Sequence, residues 1–410
     1  MDRKPLLSLC SDAYRAPSDW ELKVVSKILS ANVSNGSLDL VSGNSTVRVG
    51  HGHKICDIYP PSILRFLSML LKPDYRIGAH YVRGCWLCED KKLYEFLDAL
   101  TQAKGTILNR LFDLFNDSVY YRDKISYRLF PLRVRRKIAL HYNTDPEFMK
   151  VLLGKRLIYT CAFFSGETED LDAAQSRKLN VIAKRLELGR DDNVLDLGCG
   201  WGEAAAFYSE TFGCNMTAVN ISGGQIDYAR KTYPEHVTFV NDDYVNLSED
   251  MKYDKIYSIG MVEHVGINGH REFFSKVGRL LSDEGLALTH FIIRDHHKPM
   301  NSWMDDIVFP GSYIPTLSEV AKSIERSGIR IKQVFMIDKR NYYQTLDSWL
   351  SNFYDNREKL EGMLLNNNLN ASEVGQIMRI WEFYLCGSKL LFNNNIGTCM
   401  NIHLLLEKSK

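Results

Sequence analysis

The sequence predicts an α/β chain: a doubly wound, mostly parallel sheet preceded by a smaller N-terminal α+β domain. Three observations predict it. From residue 171 onward, strand-like and helix-like segments alternate, as right-handed βαβ crossovers require. The first of these strands, NVLDL, runs straight into a glycine-rich turn, Gly198-Cys199-Gly200-Trp201-Gly202. Before residue 125, two period-two segments and three helical ones are mixed without that alternation. The expected domains are therefore 1–125 and 126–410.

In the first domain, SDWELKVVSKILSA opens with a capping residue before an apolar pattern of helical period. SLDLVSG and STVRVG alternate as strands do. PPSILRFLSMLLKPD reads as an apolar helix between prolines; burial in a core is the expectation, and a lipid-facing surface the alternative. YEFLDALTQA reads as a further helix with Leu97 and Leu100 inward. In the second domain, LDAAQSRKLNVIAKRLEL places Leu179, Ile182, Ala183 and Leu186 on one helix face. The strands are NVLDL, NMTAVN, VTFV, KIYSI, LALTHFII and IKQVFMI, and the Asn-rich LLNNNLNAS and FNNN read as loops.

Composition narrows the function. With 410 residues, 45% of them hydrophobic, the chain can bury more than one core. Its 51 Lys+Arg nearly cancel 50 Asp+Glu, so no strong net field exists to hold nucleic acid. Charge concentrates only in RDKISYRLFPLRVRRK, residues 122–137, with seven Lys or Arg against one Asp. That segment is either a solvated linker face or a contact for anionic lipid headgroups. Nine scattered cysteines suit reduced thiols better than a disulfide framework. The C-x-x-C of Cys85 and Cys88 has no second pair to complete a zinc site, so it reads as packing around Trp86 and no metal is expected. No secretory apolar run opens the sequence, and no stretch approaches the roughly 18–20 apolar residues of a membrane span. The expectation is a cytoplasmic protein, peripheral at the inner membrane surface if the basic segment meets lipid. The oligomeric state is left open, a homodimer included.

The chemistry begins at Val194–Gly202, where the G-x-G-x-G spacing is shorter than a dinucleotide fingerprint and Asp196 precedes it. Glycine lets the backbone turn tightly and approach a ligand. An acid and carbonyls suit S-adenosylmethionine, whose methionyl end is positive, better than a pyrophosphate. Asn220 ends the second strand where a dinucleotide enzyme places an acid, Gln225 follows on the next helix within reach of ribose hydroxyls, and Asp243-Tyr244 fall where adenine belongs.

Four further motifs resemble the cyclopropane-fatty-acid synthase and mycolic acid cyclopropane synthase family: Tyr159-Thr160-Cys161-Ala162-Phe163-Phe164, Ile259-Gly260-Met261-Val262-Glu263-His264-Val265-Gly266, Thr289-His290-Phe291-Ile292 and Asn341-Tyr342-Tyr343-Gln344-Thr345-Leu346. The likeness runs from about residue 70 to the end. It implies a Rossmann-like class I methyltransferase sheet, S-adenosylmethionine as methyl donor, and an unsaturated phospholipid acyl chain at a membrane surface as acceptor. It implies a bicarbonate ion held by Cys161, Glu263, His290, Ile292 and Tyr342, and donor contacts from Tyr159, Thr160, Gly198, Gly200 and Gln225. Residues 1–125 resemble a lipid-binding domain of the longer members. The chain departs from the family at Asn143, where an acid is common, at Glu203, where a small residue is usual, at Phe163, which replaces a tyrosine, and at Asn393, which replaces an arginine.

An alkene has no proton to remove beforehand, so alignment in a dry site comes first. Methylation leaves a cation that ring faces such as Phe163, Phe164 and Tyr342 can stabilise, and closure to a cyclopropane then needs a base. The resemblance assigns that role to bicarbonate held by Glu263 and His290; Glu263 acting directly is the rival. Cys161 serves an anion pocket by its size and amide, since no step needs a thiolate.

Overall fold

A computed structural model describes residues 14–30, 33, 36–101, 145–233, 235, 237–266, 268–393 and 397–409. The expected boundary at 125/126, the basic segment 122–137 and Asn143 lie outside the described residues. The chain groups into two compact units: the N-terminal elements with residues 301–304 and 350–397, and a second unit holding 145–300, 305–349 and 398–409 of the described residues.

In the first unit, strands β1 (Gly36–Ser42), β2 (Ser45–His51), β3 (Lys54–Tyr59) and β4 (Leu87–Cys88) form a sheet in the order β2-β1-β3-β4. β1 and β3 run parallel, and the other pairings are antiparallel. Helix Asp19–Ser30 buries Leu22 and Val25 and turns Trp20 and Val24 outward. Helix Ile63–Leu71 buries Phe66 and Met69, but Leu64, Leu67 and Leu71 stand exposed at helical spacing. The expectation of core burial therefore holds for one face of that helix only. Glu21 ties the two helices together, accepting from the Ser18 and Ile63 amides at 2.8 and 3.1 Å. These N–H donors hold its carboxyl below the usual range. Trp86 stacks on Tyr81 and Phe96, and Cys88 lies against Cys56 rather than Cys85. The expected LLNNNLNAS loop is shorter than predicted: helix Arg357–Asn366 runs into it, and Asn370 already caps helix Ala371–Leu391 in a capping box.

The second unit is built on strands β5 (Asn193–Leu197), β6 (Asn215–Asn220), β7 (Val237–Asn241), β8 (Tyr253–Ile259), β9 (Leu281–Arg294), β10 (Ile329–Ile337) and β11 (Cys399–Lys408). Their order is β10-β11-β9-β8-β5-β6-β7. β9, β8, β5, β6 and β7 pair in parallel, whereas β11 lies between β9 and β10, antiparallel to both. This is the Rossmann-like class I methyltransferase sheet. Alternation along β5 sends Leu195 and Leu197 to one face, packed with Phe273, Phe274 and Val277, and Val194 to the other, packed with Leu179, Ile182 and Tyr208. Burial on both faces is why NVLDL reads as an almost unbroken apolar run. β11 was not among the expected strands, because its LLL run lacks alternation; the FNNN segment expected as a loop lies partly outside the described residues. β5 and β8 both end in left-handed glycines, Gly198 and Gly260, at the edge where doubly wound sheets bind ligands.

Candidate active site

The glycine turn divides its labour. A Cβ on Gly198 (φ 90°) would meet Met261 Sδ at 2.9 Å, and one on Gly202 (φ 87°) would meet the Phe239 ring at 2.8 Å. On Gly200 (φ 55°) it would meet nothing within 4 Å. Gly198 and Gly202 thus serve the protein's own packing, while Gly200 leaves the room a ligand would use. Asn220 Nδ2 donates to Gly200 O at 3.3 Å and to Gln225 Oε1 at 2.7 Å. Gln225 is buried with its oxygen already engaged by Asn220. Asp196 faces the interior: Tyr257 donates to its Oδ2 at 2.8 Å, and burial pushes its carboxyl up to about 7. Tyr244 also points inward, its ring on Phe273, and the Asp243 carboxylate accepts from Val245 N at 3.2 Å.

Residues 159–164 form a strap pinned from two helices. From helix Leu171–Leu186, Gln175 donates to Thr160 O at 2.9 Å, and Lys178 Nζ donates to Thr160 Oγ1 at 2.7 Å. From helix Lys339–Asp355, Thr345 Oγ1 accepts from Ala162 N at 2.9 Å, and Asn341 Oδ1 accepts from Phe164 N at 2.7 Å. Gly260 lies directly under Thr160; a Cβ there would sit 2.6 Å from the threonine methyl. Tyr159 packs on Trp349 and Phe309, and Tyr342 meets Trp349 edge-on. The result is an aromatic wall beside the strap.

Behind the strap lies a group of buried polar side chains. Glu263 Oε1 accepts from Ile292 N at 2.7 Å, while Glu263 Oε2 and His290 Nε2, both buried, have no hydrogen-bond partner among the described residues. Burial pushes Glu263 up to about 7, against the lowering effect of the Ile292 amide. Burial, then the Lys178 charge, holds His290 well below its ordinary value. Burial pushes Cys161 up to about 12, so it stays a thiol. Lys178 is itself fully buried and drawn down to about 7. Phe163 stacks on His290 and on His403 at 5.9 and 5.3 Å. The structure thus gathers Cys161, Glu263, His290 and Ile292 with the strap. Sequence reasoning did not single out Lys178, Trp349, Arg185 or His403. The signal for Lys178 was its register, one helical turn before Ile182 on the face that carries the apolar side chains; His403 lay on the strand that was not expected. Of the departures, Glu203 pairs with Arg156 and accepts from Tyr233 at 2.6 Å, and Asn393 donates to Tyr94 and Asp98. Among the described residues no group of His, Cys, Asp or Glu could hold a metal ion.

Residues 132–402 match the sequence profile of the mycolic acid cyclopropane synthetase family. The chain belongs to that family. It is 31% identical over 280 residues to sphingolipid C9-methyltransferase 2 of Gibberella zeae, covering 65% of this chain and 52% of that protein. The chain thus spans about half the length of that relative. It is 28% identical over 296 residues to the cyclopropane-fatty-acyl-phospholipid synthase of Escherichia coli, covering 71% and 73% of the two chains. The fold of this family member is shared with a cyclopropane synthase from Mycobacterium tuberculosis, at TM-score 0.59, 24% identity and 67% and 98% coverage. Coclaurine N-methyltransferase shares it too, at TM-score 0.65, 21% identity and 81% and 99% coverage.

Proposed function

We propose that this family member methylates the double bond of an unsaturated phospholipid acyl chain, using S-adenosylmethionine, and that loss of a proton closes a cyclopropane. The observation that carries this reading is the buried pair of unspent polar atoms, Glu263 Oε2 and His290 Nε2, behind an aromatic wall in a member of this family. A carbocation that must lose a carbon-bound proton in a dry site needs a base beside it, and these atoms offer one or can hold one.

The residues present fit the donor: Gly200 leaves open space, and Asn220 and Gln225 offer neutral amides at the carboxyl edge of β6. Tyr159, Thr160, Gly198, Asp243 and Tyr244 would frame it with them, Asp196 from beneath the turn. S-adenosylmethionine, when bound, supplies an electrophilic methyl group. The chain's own task is to exclude water, which the strap and its two helices serve, and to present ring faces to positive charge, worth about 0.5–2 kcal/mol each. Glu263, held by one oxygen and near 7, can hold or release a proton at Oε2. Bicarbonate is the occupant that the family resemblance suggests; Cys161, Glu263, His290, Ile292 and Tyr342 would surround it, with the Ile292 amide already donating to Glu263 Oε1, and it would supply a base of matched strength.

The lipid reading is also supported by the first unit, where Trp20, Leu64, Leu67 and Leu71 stand 62%, 78%, 44% and 72% exposed, with Lys23 and Lys27 exposed on the first of their helices. Apolar side chains with lysines alongside suit a headgroup boundary, and no helix among the described residues is long and apolar enough to cross a membrane. Relatives named for methylating sphingolipids and fatty acids favour one second reading, a methyl branch in place of a ring. Incubation with unsaturated phospholipid vesicles and S-adenosylmethionine separates the readings. A gain of one CH2 per modified double bond with cyclopropane proton resonances is expected; the same gain with a retained olefin means a branch, and transfer only to an amine sinks the lipid reading.

A further inference from the structure

Beyond the pocket lies a chain of polar contacts that the proposed reaction leaves unused. His403, on β11, sits directly opposite His290 in the β9–β11 register. His403 Nε2 is 2.8 Å from His290 Nδ1, and His403 Nδ1 is 2.6 Å from a terminal guanidinium nitrogen of Arg185. We propose that Arg185 and His403 are positioning residues that place the proton of His290 on Nε2, so that the pocket meets its occupant as a hydrogen-bond donor.

The direction follows from one end. A guanidinium has donors only and stays charged, so His403 Nδ1 must accept. A neutral imidazole that accepts at Nδ1 carries its proton at Nε2. That proton has one close partner, His290 Nδ1, which must accept in turn, and His290 then carries its own proton at Nε2. Protonating either ring fully would set two donors face to face. Both rings are buried, at 1% and 0% exposure, and burial holds both far below the ordinary histidine range, so both are neutral. Geometry keeps the relay in place: Phe163 packs on both rings, and the Arg185 guanidinium lies 3.7 Å above the Phe335 ring. Lys178 adds a positive charge beside His290, and the Asn401 side chain lies close enough to accept a hydrogen bond from it, so the acceptor that His290 meets is the Asn401 side-chain oxygen, an occupant, or both.

Two consequences follow for the pocket. The group His290 meets is an acceptor oxygen, of an anion or a carbonyl. His290 also cannot be the base, because its free nitrogen already holds a proton; the base is the occupant or Glu263. The identity of the occupant rests on the function proposed above, but the proton arrangement does not.

The test is long-range proton–nitrogen correlation on the full chain labelled at histidine, without donor or lipid, with His290→Gln and His403→Gln identifying the two signals. Both rings are expected as Nε2–H tautomers at pH 7. Arg185→Glu turns the terminal donor into an acceptor, so His403 should take its proton at Nδ1 and His290 should follow. Turnover should then fall roughly tenfold or more, with S-adenosylmethionine affinity kept. If that variant does not fold, Arg185→Met is read in the same way and should give mixed tautomers at His290. His403→Gln, whose amide can accept from Arg185 and donate to His290, should keep the His290 tautomer, and His403→Leu should lose it. An Nδ1–H signal from wild-type His290, or an Arg185 variant that leaves the His290 signal unchanged, overturns the proposal. The expected tautomers in a protein that methylates no lipid would leave it standing and remove the functional reading instead.

Discussion

The pocket behind the strap and the outer helices of the first unit break the usual partition in opposite directions. The region behind the strap buries Glu263, Lys178 and His290, and Asp196 is buried beneath the glycine turn, all groups that water would stabilise. The outer helices leave Trp20, Leu64, Leu67 and Leu71 in water that would rather exclude them. Each arrangement costs folding stability, and neither is needed to build the core beside it. A buried polar group and an exposed apolar patch are the informative exceptions to ordinary burial. Here the first describes what the reaction needs from its surroundings, the second what the protein needs from its substrate's.

The strongest way to break the comparison is Glu263→Gln. If the buried carboxylate serves chemistry rather than folding, turnover on vesicles should fall about 10²–10⁴-fold, while calorimetry finds near-normal S-adenosylmethionine affinity and the melting temperature at pH 8 is unchanged or higher. A lowered melting temperature with both functions lost would make Glu263 structural. The matching experiment on the other region is the triple change Leu64→Gln, Leu67→Gln and Leu71→Gln. Full burial of a leucine is worth about 1.5–3 kcal/mol, so even partial insertion predicts vesicle binding weakened at least tenfold in sedimentation, with the melting temperature preserved. Unchanged binding would leave those leucines as plain surface.

Gly200→Ala sharpens the division within the turn. Its left-handed backbone penalises alanine by roughly 1–2 kcal/mol, a modest loss of stability, yet the new methyl enters the open side of the turn, so donor affinity should fall more than stability does. Equal losses would mean the space is not a ligand site. The smallest effect is on the pH dependence of stability. Glu263 and Asp196 hold protons in the fold up to about 7 that the unfolded chain has lost, so their contribution to stability should decline as pH rises from about 4 to 7, against the opposite slope from the buried neutral His290 and His403. Lys178 is neutral in the fold above about 7 but charged when unfolded, so stability should recover as pH rises further, toward its ordinary 10.5. Each group contributes at most about 1.4 kcal/mol per pH unit. Denaturant titrations of wild type against variant isolate each group: the stability difference from Glu263→Gln should change between about pH 4 and 7, and that from Lys178→Met between about 7 and 10.5.

Much of the second unit was legible because its strands announce themselves twice, by apolar runs and by the glycines at their carboxyl ends. Val194–Leu197 leads into the turn at Gly198, and Ile256–Ile259 leads into Gly260 and Glu263. The pocket was legible only in part. Residues near a motif, such as Cys161 and His290, could be placed by it. Lys178 could not, since a lysine on an apolar face normally snorkels to water, and only the threonine hydroxyl above it shows why this one stays. His403 could not, because its partner is 113 residues away in sequence. Helix Ile63–Leu71 was legible in part, because apolar content is visible in a sequence but which face finds a neighbour is not.

The place of β11 carries a consequence for how the molecule assembles. β9 and β10 follow one another in the chain, yet they do not pair, because β11, synthesised after both, lies between them. Until β11 arrives, β9 presents an open edge with His290 on it, and β10 has no strand neighbour. Pairings of such long sequence separation form slowly, and an unpaired edge invites other chains meanwhile. The same strand that orients the pocket's histidine is thus the one that ends the molecule's most aggregation-exposed interval, so truncation or delay there should be read first in solubility and only afterwards in catalysis.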